Sequence, residues 1–436
     1  MRKYLLLVFI GCSFYANAQN TLSFNSLNDL LNYADKNSYT FKNSNAQTLL
    51  AKYTRLAAEW GVVNLTGNAN LTFTDNTKIQ TSFLPAEIFG GPSGTFKAVK
   101  FGLQYVSNLG ITPQFDVINP ALLTRIKVAK ANENLVAVNN LLNKKSLYES
   151  VSACYYNIIS YQSQIEITQK SLSNTDTLVE IFTNKQKEGI IRIQDLNSVV
   201  ANQLTLKDKL QQLQAQLQTQ FISLKLLCDI ASSTNIEIKN AENDVENFNS
   251  TLEAKGNLVA QQTFWQHQYQ LKTLRMDELW FAPTISLIGN AGWSQNTNNH
   301  FLDGTKIYST NYVGLKMLMP IVPDVNKIAA VKYDRVNLQI ARNNWNHAAL
   351  QDSLNNNQLK VDYQKSFNSY QLNKQIENLK EDIYFKNLNI YKEGVLSSTD
   401  LLNSFNDWLN SSLNRAMQAA NSEFAKSKII INNTIK

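Results

Sequence analysis

Glycine and proline are absent from four very long stretches of this chain. Residues 121–188, 190–255, 324–393 and 395–436 contain neither. These two residue types punctuate secondary structure more strongly than any others. Long runs without them, rich in Leu, Ala, Gln, Asn and Lys, are free to form helices of unusual length. The glycines that separate each pair of runs sit in matching text. Lys187-Glu188-Gly189, five residues and Asp195-Leu196 recur as Lys392-Glu393-Gly394, five residues and Asp400-Leu401. The pattern predicts two helical hairpins in a duplicated chain, with Gly189 and Gly394 at the turns. At about 1.5 Å per residue, residues 121–188 would make a helix on the order of 100 Å long.

The segments between the long runs obey a different period. Leu65, Gly67, Ala69, Leu71 and Phe73 alternate with Thr66, Asn68, Asn70, Thr72 and Thr74. Such alternation marks a strand with one apolar and one polar face. A second strand is expected at about 98–107, where Val99, Phe101, Leu103 and Tyr105 alternate with polar neighbours, and a long loop is expected over 75–97. The second half repeats the arrangement, with strands at about 284–294 and 310–319. Leu65-Thr66-Gly67-Asn68-Ala69 matches Leu287-Ile288-Gly289-Asn290-Ala291 directly. Residues 24–60 read as one helix, opened by Asn25 or Ser26 as cap and ended by Gly61.

The organisation that follows is a signal peptide at 1–18, a first repeat at 19–228, an irregular connector at 229–256 and a second repeat at 257–436. The helical hairpins fall at about 121–228 and 324–432. Met1–Ala18 carries a charged start (Arg2, Lys3), an apolar core (Leu5–Ile10) and the small-residue site Ala16-Asn17-Ala18. A lipidated Cys12 is the other reading of this leader. Cys154 and Cys228 lie in helical runs and read as buried thiols, so no disulfide framework is expected. No later run reaches the roughly 18 apolar residues of a membrane helix. The net charge of +7 is spread along the chain, without a Lys/Arg cluster to make a nucleic-acid groove. His267, His300 and His347 lack metal-ligand spacing, and no phosphate loop, nucleophile elbow or CxxC occurs. No enzyme, cofactor or metal is therefore expected.

Strands with an outward apolar and an inward polar row have the pattern of a membrane β-barrel, although a small sheet on a soluble core alternates in the same way. Four strands cannot close a barrel, for which about eight is the practical minimum. Three copies would supply twelve strands and six hairpins. At this point the chain resembles the TolC family of outer-membrane efflux proteins. The likeness rests on the duplicated order of elements, on Pro320-Ile321-Val322-Pro323-Asp324 leading into a long helix, and on Tyr391-Lys392-Glu393-Gly394 followed by Asp400-Leu401-Leu402.

The resemblance implies a mainly α fold with a membrane β-barrel, formed as a homotrimer whose twelve-stranded barrel continues into a long α-helical tunnel. It implies a channel in outer-membrane lipid with a periplasmic extension, the exit duct of a tripartite efflux pump or type I secretion system. The partners would be a periplasmic adaptor (membrane fusion) protein and an inner-membrane pump. Gly189 and Gly394 would lie at the periplasmic tip. Asp400 would form a carboxylate ring at the entrance. Asn403 stands where a second aspartate often follows, which puts a double ring in doubt. Asp195 and Tyr391 match positions that can be hydrogen-bonded between neighbouring chains to hold the tip shut, and Leu396 replaces an arginine of that network. For Gly189 and Gly394 the plain structural reading is left-handed helix capping, and for Asp195 and Asp400 it is N-capping. The alternative for the whole chain is a secreted periplasmic helical-hairpin adaptor or structural protein.

Overall fold

The computed structural model describes residues 21–63, 65–239, 252–304, 306–322 and 324–435. The signal peptide, Cys12, Pro323 and residues 240–251 of the connector lie outside them. In chain order the elements are β1 (Thr21–Phe24), α1 (Leu27–Asn37), α2 (Tyr39–Trp60), β2 (Leu65–Asp75), β3 (Thr81–Pro85), β4 (Phe96–Lys100), β5 (Tyr105–Ile118), α3 (Pro120–Lys187), α4 (Ile193–Cys228), β6 (Asn235–Ile238), α5 (Leu258–Glu278), β7 (Thr284–Thr297), β8 (Ile307–Leu318), α6 (Val325–Lys392) and α7 (Ser398–Thr434). They form two compact units. One draws on Leu49–Leu135 and Thr263–Asn344; the other draws on the described parts of Met1–Thr48, Val136–Gln262 and Trp345–Lys436.

The first of these units holds a four-stranded antiparallel sheet in the order β2-β5-β7-β8. Each half of the chain contributes one antiparallel pair, and the halves join at β5–β7. The register puts Leu65, Ala69 and Leu71 of β2 on the same face as Phe115, Ile111 and Leu109 of β5, Leu287, Ala291 and Trp293 of β7, and Leu315 and Val313 of β8. The opposite face carries Thr66, Asn68, Asn70 and Thr72, then Gln114, Thr112 and Asn108, Ser286, Asn290 and Ser294, and Lys316 and Thr310. The apolar face is bare: Leu65, Leu71, Val313 and Leu315 are 60–79% exposed. Each such side chain would yield roughly 1.5–3 kcal/mol on burial. Strands β2 and β8 are the two edges of the sheet.

The strand expected at about 98–107 is not a single strand. Residues 96–100 form β4, and the sheet strand begins at Tyr105. Gly102, at φ +125°, turns the backbone between them, so the alternation runs from β4 through a link at 101–104, with Phe101 and Leu103, into β5. The stretch 75–97 is likewise more than a loop. Within it β3 pairs with β4 as a hairpin around a short 3-10 turn at Ala86–Phe89. The true strand β5 was disguised by Pro113, which lacks a ladder N–H and normally marks an edge or a bulge. Here it occupies a central strand. Gly67 faces it on one side, and on the other a Cβ at Gly289 would come 3.1 Å from the Pro113 ring.

In the second unit β1 and β6 pair in parallel. Neither was expected, since four residues are too few to show a period. Beneath them Phe24, Leu30 and Leu31 pack with Val151, Tyr155 and Ile158 of α3 and with Leu224 of α4. Cys154 and Cys228 are free and buried in this cluster, and burial pushes the Cys228 thiol up to about 12. Ser26 caps α1, its hydroxyl accepting from the Asp29 N–H at 3.2 Å. The single helix expected over 24–60 is interrupted at Ser38. Ser38 is extended (φ −61°, ψ 141°) and its hydroxyl accepts from the Phe41 N–H, which starts α2 afresh. The long helices match the expected runs to within a few residues.

Candidate functional site

Both hairpin turns are built alike. Gly189 and Gly394 adopt left-handed conformations, at φ +72° and +78°. The Gly189 N–H donates to Gln186 O at 3.0 Å and the Ile190 N–H to Lys185 O at 2.9 Å. Gly394 donates to Tyr391 O at 3.0 Å and Val395 to Ile390 O at 3.2 Å. These paired bonds are the Schellman arrangement that closes a helix C-terminus. Glycine is favoured because a Cβ is strained at positive φ.

The two aspartates reappear one short turn later as the third residue of the next helix, not as its N-cap. Asp195 Oδ2 accepts from the Arg192 N–H at 3.2 Å. Asp400 is partnered by Ser397, the actual cap: the Asp400 N–H donates to Ser397 Oγ at 3.2 Å, and Ser397 Oγ donates to Asp400 Oδ2 at 2.7 Å. A carboxylate in the first turn is also favoured by the positive end of the helix dipole.

The two hairpins share one core. Leu178 and Phe182 of α3, Val199 and Leu206 of α4, Tyr384 and Tyr391 of α6, and Leu401, Phe405 and Leu409 of α7 are packed together. Tyr391 is only 5% exposed, so packing is part of its role. Its ring stacks on Phe182 at 5.3 Å, and Lys185 Nζ lies 4.5 Å from the ring centre. Burial raises the Tyr391 phenol above its usual value; the Ser398 side chain opposes the rise and the Asp195 carboxylate adds to it. Within one chain it is the Phe182–Tyr391 stack that joins the first hairpin to the second; the Asp195 carboxylate accepts from the Arg192 N–H. Leu396 packs against the same core, giving the position an apolar use.

Asp400 and Asn403 are exposed on one face of α7. The same face continues through Asp407, Asn410, Asn414, Met417 and Asn421, while the flanking Leu401, Leu402, Ser404, Phe405, Leu409, Ser411, Ser412 and Ala416 are buried. Steps of three and four keep such residues in line. The open side of α6 is different in kind. There Leu350, Leu354, Leu372, Ile376, Leu379 and Ile383 stand 44–65% exposed. On α4, Ile193, Leu204, Ile222 and Leu226 stand 50–82% exposed. Asp407 escaped the sequence reading, although its seven-residue offset from Asp400 would have revealed the shared face. Its cation, Lys380, is visible only in the structure.

Among the described residues no group of three or more His, Cys, Asp or Glu is placed to hold a metal ion, and no helix is long and apolar enough to cross a membrane. No protein-family model matches the sequence, and no curated protein matches it. Solved structures do. The outer membrane protein VceC of Vibrio cholerae matches with a TM-score of 0.74 at 15% identity, over 94% of this chain and 95% of that one. The CmeC outer membrane channel of Campylobacter jejuni matches at 0.72 and 14%, over 93% and 85%. The MtrE outer membrane channel of Neisseria gonorrhoeae, solved in its open state, matches at 0.68 and 14%, over 92% and 88%. At nearly full length and despite low identity, this chain has the fold of the TolC-type outer-membrane channels.

Proposed function

We propose that this protein is a homotrimeric outer-membrane channel, the exit duct of a tripartite efflux pump or type I secretion system. The observation that carries the reading is the bare apolar face of the four-stranded sheet, combined with its two open edges. In water that face would be a liability; against lipid it is at home. Open edges cannot persist in a bilayer, where unmet backbone groups cost several kcal/mol each. Edge β2 of one chain joins edge β8 of the next, and three chains close twelve strands in cyclic symmetry.

The two kinds of open helix face support the same reading. The apolar rows on α4 and α6 suit contact with neighbouring chains, and the asparagine-rich row on α7 suits a water-filled conduit. The helical part is then a periplasmic tunnel with Gly189 and Gly394 at its tip, Asp400 and Asn403 at the constriction, and Asp195 with Tyr391 holding the tip closed. A periplasmic adaptor protein and an inner-membrane pump engage it and supply the energy; the channel itself catalyses nothing. The adaptor alternative is disfavoured, because it leaves the sheet's apolar face without a partner.

Membrane fractionation tests the proposal. The mature protein is expected in the outer-membrane fraction, extracted only by detergent, as a heat-modifiable trimer that conducts in planar bilayers. A soluble periplasmic monomer would overturn it.

A further inference from the structure

The open row of α7 carries two charges among its seven side chains, Asp400 and Asp407. They are treated differently. Asp400 is partnered by the neutral Ser397 hydroxyl. Asp407, two turns on, receives Lys380 of α6, whose Nζ lies 2.5 Å from Oδ2. Both members of that pair are open to water, with side chains 38% and 56% exposed. Between them on α7 stands Asn403, which has no charge to give.

We propose that Lys380 is a specificity-determining residue of the conduit: it cancels Asp407, so that each α7 row presents one net carboxylate instead of two. This rests on the reading of the α7 row as pore lining. Seven residues of helix separate the two aspartates by about 10 Å. The screening length is about 8 Å at physiological salt and about 30 Å at 0.01 M. Ions therefore meet the Asp400 level and the Asp407 level as separate fields at ordinary ionic strength. With Lys380 in place the second level is a ring of ion pairs, nearly neutral at a distance. Cations drawn in by Asp400 pass it without being held, and anions meet one barrier instead of two. Removing the lysine would add a second carboxylate ring, and removing the aspartate would leave a ring of bare ammonium groups.

The test is the reversal potential of purified trimers in planar bilayers under a KCl gradient. Lys380→Met is expected to raise the cation-over-anion permeability ratio about twofold, and Asp407→Asn to lower it by a similar factor. The double variant is expected to return to the wild-type ratio. Lys380→Gln, a polar replacement, gives the same direction as Lys380→Met, and heat-modifiability confirms that each variant assembles. All shifts shrink in 1 M salt. If Asp400→Ala changes selectivity while the variants at 380 and 407 do not, or shift it in the same direction, Lys380 has no such role. If Asp400→Ala is also silent in a conducting trimer, the α7 row is not the lining. A wild-type protein that does not conduct overturns the inference together with the channel reading.

Discussion

Single residues show where chemistry has been placed against local preference. Asp334 of α6 is only 7% exposed. Burial raises its pKa above the usual carboxylate value, and a hydrogen bond to Asp277 of α5 and that group's charge raise it further. An acid whose folded pKa exceeds its unfolded value of about 3.9 is penalised in its charged form. The folded state loses stability as pH rises through the folded pKa, and below about pH 4 the penalty is gone. Asp334→Asn is therefore expected to raise the apparent melting temperature of the detergent-solubilised protein at pH 7, with the gain vanishing near pH 4. An equal or lower melting temperature at pH 7 would show that the pair stabilises the fold. Nothing in the sequence marks this pair, since its members lie on different helices. By contrast, the left-handed turns at Gly189 and Gly394 were legible, because an isolated glycine between two long helical runs has few other uses.

At the scale of elements, legibility followed length. Helices α3, α4, α6 and α7 were foreseen almost to their ends, since long runs without Gly or Pro leave little choice. The errors cluster where an element is short or breaks a rule. Strands β1 and β6 have four residues each, and β5 contains a proline that only flanking glycines make tolerable. The exposed apolar row of α6 could not be distinguished in sequence from its buried row, because both have helical spacing. Its use is testable. Ile376→Asp with Leu379→Asp places two carboxylates where side chains 45% and 65% exposed await a partner. Each apolar side chain would yield roughly 1.5–3 kcal/mol when covered. The trimer proposed above is expected to disappear in detergent while helical circular dichroism persists. A surviving trimer would mean that this face of α6 lies outside the subunit contact.

At the scale of the whole molecule, the order of strands and long helices was the most legible feature, and the fold matches solved structures over more than nine-tenths of the chain. What the sequence hid is how the two hairpins are tied together. Tyr391 is buried against Phe182, so a residue of the second hairpin is held by the first. If this tie keeps the tip narrow, Asp195→Ala with Tyr391→Phe is expected to raise single-channel conductance severalfold. Unchanged conductance would mean that closure resides elsewhere.

The two raw rims of the sheet have a consequence for biogenesis. If the trimeric channel proposed above is right, a chain on its own leaves its outermost strands, β2 and β8, unsatisfied until copies of itself join them. On that proposal, escort by holding factors and a supply rate high enough for three copies to meet before they clump become conditions for assembly.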